Sequence, residues 1–296
     1  MRTHDRRNNS WQRVTAKLPA PRLPRSVYKG DNGARVTFGI IALAVVWQFI
    51  SPEAPQIVAM EWKRVLGSSS SASLRREIPP AAVPVLSNIN FIEGIERVVW
   101  TPGLAILEGS FDLQKIKDMA SADGGVTKPY KKVELLAPAE NDGTHVGLIS
   151  PSLLMLGTET EIKSAVDRSE RAKGWGTGGY DLWIRTSGSG FSRHEFGIRL
   201  IDQAVQVSSK IRYPSEISAR TAAENARLLS LTGQQSGQEA RLTGSFSPEQ
   251  FAKREWRTAI ENMHSSSIVE SESEPRKPGV IRIYGLDEGV REIPLK

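Results

Sequence analysis

Cysteine is absent from all 296 residues, which removes thiol nucleophiles, cysteine-ligated zinc and any disulfide framework. Histidine is nearly as scarce. His4, His145, His194 and His264 are the four, and no two stand at the spacing of a local metal site or catalytic motif. Charge of one sign is missing from most of the chain as well. The net charge is +6, but residues 1–35 hold nine Lys or Arg against two acids, leaving the other 261 residues at −1. A nucleic-acid-binding domain needs a concentrated basic surface, so this balance points away from nucleic acid as a partner. With 39% hydrophobic residues there is ample material for a buried core.

The basic segment reads as a disordered cytoplasmic tail over 1–35, with a P-x-x-P spacing at Pro21 and Pro24 that favours extended polyproline II. Val36 to Ile50 follows with no charge and a single Gln, 15 residues in all. As a helix this run is roughly 22 Å long, against a hydrocarbon core of about 30 Å, so it is a short span. Arg35 and Trp47 suit its two interfaces. The charge asymmetry of the flanks predicts a transmembrane helix over 36–52 in the inner (cytoplasmic) membrane, contacting lipid directly. The N-terminus is then cytoplasmic and the bulk of the chain extracytoplasmic. A cleaved signal peptide, a mitochondrial presequence with an inner-membrane anchor, and a buried core helix are the alternatives. The last requires neighbours on every side.

Residues 53–81 contain Pro55, Pro79, Pro80 and the run Ser68–Ser73, and read as a linker, with a short helix over Ile57–Leu66 as an option. Beyond it, alternating and helical periodicities follow in the order ββα, βββα, βββα, βα. The connections are too short for parallel crossovers, so the sheets are expected to be antiparallel. The resulting fold class is α+β: two tandem modules, 82–172 and 173–264, of largely antiparallel sheet with helices on one face. A second linker over 265–279 leads to a C-terminal hairpin or docking strand over 280–296. Here Val280, Ile281, Ile283, Tyr284 and Leu286 are the candidate partner-docking residues, because an isolated hairpin is only marginally stable and seeks a sheet edge.

One phrase occurs twice, as AILEGSFDLQKI from Ala105 and ARLTGSFSPEQF from Ala240. In each copy an apolar strand ends in Gly-Ser-Phe and a capping residue, Asp112 or Ser247, opens a helix. Phe111 with Ile116, and Phe246 with Phe251, stand at or close to hydrophobic-staple spacing, and Gln250 completes a capping box. LLMLGTETEI repeats the arrangement with Thr158 as cap. The repeat is therefore read as a strand-to-helix joint rather than a site. Gly174–Gly179 matches G-x-G-x-x-G, but a helix precedes it and a strand follows, the reverse of a dinucleotide site. No catalytic, cofactor-binding or metal-binding residue is assigned.

The stretch 97–171 resembles uncharacterised bacterial membrane-anchored extracytoplasmic α+β proteins. The residues that carry it are VVWTPGLAILEGSFD, the strand YKKVELLAP, and Gly157, Ile162, Ala165, Val166, Asp167 and Arg168 at the end of LLMLGTETEIKSAVDR. The resemblance implies an envelope location and an α+β fold, and it assigns no activity. The expected function is a single-pass, membrane-anchored binding or scaffolding module without catalysis, with a protein partner in the envelope. The alternative is an enzyme or small-ligand carrier with its site in a cleft between the two modules.

Overall fold

A computed structural model describes residues 46–89, 92–139, 143–170, 179–188, 191–268, 280–285 and 289–294. The tail, most of the apolar run, and the glycine-rich match at 174–178 lie outside them. The first strand, β1 (Gln56–Glu61), leads into three short helices, α1 (Trp62–Gly67), α2 (Ser71–Glu77) and α3 (Val83–Asn88). The hairpin β2 (Ile95–Thr101) and β3 (Leu104–Gly109) is followed by α4 (Leu113–Ala122). Four strands then meander, β4 (Val126–Tyr130), β5 (Val133–Ala137), β6 (His145–Ser150) and β7 (Leu153–Gly157), into α5 (Glu159–Ser169). Next come β8 (Leu182–Gly188), β9 (Phe191–Ile201), β10 (Ala204–Arg212), α6 (Glu216–Asn225) and a 3-10 turn, Ala226–Leu229. The body closes with β11 (Thr232–Ser236), β12 (Glu239–Phe246), α7 (Pro248–Ala252) and α8 (Trp256–Ile268).

Twelve strands form one antiparallel sheet in the order β11-β12-β10-β9-β8-β1-β2-β3-β7-β6-β5-β4. This corrects two expectations. Residues 53–81 are not a linker, because β1 lies inside them and pairs on both sides: Val58 with Trp100 of β2 and with Ile184 of β8. The two halves of the chain therefore share a single sheet. The physical reason for the misreading is that IVAM has no alternation. Ile57 and Ala59 face one side, Val58 and Met60 the other, and all four are buried, so the segment carries no period-2 signal.

The helices cover both faces, not one. An upper layer of α1–α4 and α6–α8 packs on Val98, Leu107, Ile184, Phe196, Val207 and Leu242. On the lower face Ile57, Val99, Ile106, Leu135, Met155 and Trp183 are covered by Ile162, Ala165 and Val166 of α5 and by Val46, Trp47, Phe49 and Ile50. The last four are the end of the run expected to span a membrane, and each is no more than 5% exposed. Trp47 meets Trp183 edge to face at 6.0 Å. Arg168 donates to the Phe49 carbonyl, and Arg185 Nη2 donates to the carbonyls of Pro52 at 2.6 Å and Ala54 at 3.3 Å, so two arginines satisfy the backbone of this segment. Among the described residues no helix is long and apolar enough to cross a membrane.

The strand-to-helix joints have the caps that the sequence implied. Asp112 accepts from Lys115 N at 3.0 Å, Thr158 from Glu161 N at 3.2 Å, and Ser247 and Gln250 form the reciprocal capping box. Gly109 is needed for close approach, because a Cβ there would lie 2.2 Å from the Gly94 carbonyl oxygen. The helix expected to run on from Pro248 breaks after Ala252 and restarts at Trp256. Val280–Gly285 (β13) pairs with Gly289–Pro294 (β14) in a separate two-stranded sheet. That places Val280, Ile281, Ile283 and Tyr284 on one strand, while Leu286 lies outside the described residues.

Truncating a buried tryptophan costs about 3–5 kcal/mol. We expect Trp47→Ala to lower stability by that amount in denaturant melts of the full chain. A change within about 0.5 kcal/mol, the size of an ordinary surface substitution, would show that the segment is not part of the core.

Candidate functional site

Among the described residues, the lower layer does not extend under the whole sheet. In β9 to β12 the inward positions Phe196, Ile198, Val205, Val207, Ala240 and Leu242 face the upper layer, and most of the alternate positions are polar, with Gly197 and the exposed Ile201 among the exceptions. The registers fix how these polar positions line up. Gly197 pairs with Ser208, Ser208 with Thr243, and Thr243 with Thr232, so one row across four strands carries only small side chains. The row on one side is Arg199, Gln206 and Ser245; on the other it is Glu195, Lys210, Arg241 and Gln234. The low row forms a trough, and a shallow groove of about 420 Å³ runs along it, lined by Ser208, Thr243 and Thr232 together with the Arg199, Gln206 and Ser245 row and Tyr180.

Tyr180 closes one end. Its ring lies over Gly197, where an added Cβ would be 2.7 Å from the ring carbons, and Arg199 stands 5.7 Å from the ring centroid. The side chains of Gln206, Ser208, Thr232, Thr243 and Ser245 make no hydrogen bond among the described residues. The lower face of these four strands carries five cations, Arg193, Arg199, Lys210, Arg212 and Arg241, against Glu195 and Glu239. Lys210 at 3.0 Å and Arg241 at 2.8 Å share Glu239, and although partial burial works against its charge they hold that carboxyl below its ordinary range.

A second polar assembly is buried under α8. His194 Nε2 lies 2.9 Å from Ser209 Oγ, and His194 Nδ1 lies 3.3 Å from Glu261 Oε1, the nucleophile-base-acid order of a hydrolase triad. Three features make it structural. Ser209 and His194 are each 1% exposed. Phe191 and Phe196 close on the imidazole at 5.7 and 6.2 Å. Ser209 is laddered to Leu242 on one side and Phe196 on the other, so the strand offers no convergent free N–H groups for an oxyanion. The assembly instead ties α8 to the sheet. Arg257 Nη1 bonds both Glu261 oxygens at 2.9 and 3.0 Å, and its Nε donates to the Glu77 carbonyl at 2.9 Å. Burial disfavours the Glu261 charge, yet His194 and Arg257 hold its carboxyl below the usual range.

Glu77 completes the seam. Its two carboxylate oxygens accept the backbone N–H groups of Trp256 and Arg257, both at 2.8 Å, so a side chain from α2 caps the helix that restarts there. Burial nonetheless pushes this carboxyl up to about 7, outweighing the two N–H donors and Arg257.

Neither assembly was found from sequence. Ser209 and Glu261 stand 15 and 67 residues from His194, and the trough depends on cross-strand register. Alternation within Ala204–Arg212 is the one signal that marked the open face. Between the strands of the two expected modules, β1 is paired with β2 on one side and β8 on the other. Among the described residues, no group of three or more His, Asp or Glu is placed to hold a metal ion.

No protein-family profile matches the chain, and no curated protein is significantly similar to it. Three solved structures, crystal forms IV, III and I of TP0453, are distantly similar in fold. They share 9%, 11% and 10% identity with TM-scores of 0.46, 0.44 and 0.44, covering 70–73% of this chain and 94–96% of theirs.

A carboxyl raised in the folded state binds its proton more tightly folded than unfolded. Its contribution to stability is complete below about 4.5 and is lost as pH rises through about 7. We expect the stability of the wild type relative to Glu77→Gln to fall across that window, by on the order of 3 kcal/mol. Urea melts of both proteins from acid to neutral pH check this; parallel profiles would refute it.

Proposed function

We propose that the protein is a membrane-tethered binding protein that acts without catalysis, with its folded body on the extracytoplasmic side and the uncovered lower face of β9–β12 as its binding surface. The observation that carries this reading is the one-sided cover of the sheet. Among the described residues, β1–β3 and β8 are buried above and below, whereas β9–β12 leave a row of unpaired hydroxyls between rows that carry Arg199, Lys210 and Arg241. The C-terminal hairpin, with Val280, Ile281, Ile283 and Tyr284 on its first strand, is a further contact in the same proposal, for a protein partner in the envelope.

The seating of Val46–Ile50 favours a second arrangement of the tether. With those residues in the core, the part of the run that precedes them, Val36–Val45, is ten uncharged residues long. Ten residues make about 15 Å of helix, half the hydrocarbon thickness. A crossing by 36–52 therefore requires Trp47 and its neighbours to leave the lower layer. A body held at a membrane surface by the basic tail and the ten-residue stretch requires no such exchange.

Two measurements test these readings. A photo-crosslinking phenylalanine analogue at Thr243 in living cells should give a discrete adduct, and one at Leu228, exposed on the 3-10 turn, should not. An adduct pattern common to both positions would remove the open face as the binding surface. In fractionated cells the crossing anchor predicts a carbonate-resistant membrane protein. Membrane association that carbonate releases selects the surface tether, and a protein that never sediments with membranes ends both.

A further inference from the structure

We infer that the trough is a subsite for an anionic glycan, an oligosaccharide bearing carboxylate or similar acidic groups. The inference deepens the binding reading above and rests on it. Four features of the trough select this chemistry.

The floor comes first. Ser208, Thr243 and Thr232 place three hydroxyls in one row, with Ser245 and Gln206 beside them, none bonded to another described side chain. Hydroxyls that both donate and accept match the mixed donors and acceptors of a polyol. Second, the trough crosses four strands, roughly 14 Å at the usual inter-strand spacing. Its shallow shape accommodates a chain lying across the sheet and does not enclose a small molecule. Third, Tyr180 presents a ring at the end of the row, held against Gly197, where the less polar face of a sugar can pack. Fourth, this face carries five cations against two acids: Arg199 flanks the trough on one side, while on the other Lys210 and Arg241 share Glu239 and Arg193 pairs with Glu195, with Arg212 at the end of β10. That excess is complementary to a ligand carrying negative charge.

The same geometry argues against an acidic peptide. Extended peptides are recognised chiefly through main-chain hydrogen bonds to a free strand edge. In the trough β10 is paired with β9 and β12, and β12 with β10 and β11, so their backbone groups are engaged.

The test uses the full chain in detergent, titrated calorimetrically with a short oligogalacturonate as the acidic probe. A neutral cello-oligosaccharide and a short polyglutamate serve as comparisons. Binding of the galacturonate at least about tenfold tighter than either comparison is expected, weakening as salt rises. Thr243→Trp fills the trough and Arg199→Gln removes a flanking charge; each should reduce binding about tenfold or more while leaving the melting temperature near that of wild type. Leu228→Ala, away from the trough, should bind as wild type does. Equal affinity for polyglutamate, equal affinity for the neutral sugar, no saturable binding of the acidic probe, or binding indifferent to Thr243→Trp would each overturn the inference. The Thr243 crosslink separates this failure from that of the broader reading. A proteinaceous adduct keeps the open face as a binding surface and removes the glycan, whereas no adduct together with no glycan binding removes both.

Discussion

Everything in this architecture depends on the pairing of β1 with both β2 and β8. Met60 is aligned with Val98 on one side and Leu182 on the other, and Ala59 with Val99 and Trp183. Without that strand the chain would be two smaller sheets with four edges. With it, one sheet has two edges, β4 and β11. Strands on either side of β1 are buried on both faces, which explains their lack of alternation and the two separate apolar layers.

The asymmetry of the lower layer follows from that placement. Among the described residues, α5 and Val46–Ile50 are what covers the lower face, and both lie against the N-terminal half and β8. Cover ends at Trp47, Trp183 and Tyr180. The strands beyond change composition accordingly, from apolar on both sides to apolar on one. A sheet face that meets water must be polar, but nothing about solvation alone requires a row of hydroxyls flanked by Arg199 on one side and by Lys210 and Arg241 on the other. That pattern makes the face a candidate for recognition.

The upper layer of the C-terminal half is held differently, by a buried polar seam as well as by apolar contact. Glu77 caps α8 from another helix, and Arg257, Glu261, His194 and Ser209 run from that cap to the strands. Each side chain of the seam has a partner, as buried polar groups must. The triad-like order within it arises because serine, histidine and carboxylate are well suited to mutual hydrogen bonding. Chemistry would need access and oxyanion donors as well.

The sequence by itself determined the local rules: antiparallel strands joined by short turns, the caps at Asp112, Thr158 and Ser247, the glycine joints, and the terminal hairpin. All depend on neighbours within a few residues, so periodicity and capping chemistry suffice to read them. Only the tertiary structure decided that β1 is the centre of the sheet, that Val46–Ile50 belongs to the core, that helices lie on both faces, and that Gly197, Ser208, Thr243 and Thr232 form one row. Burial on both sides erases the alternation by which a strand is recognised. A row across a sheet depends on register, which is set by partners up to dozens of residues apart and leaves no mark in any local window.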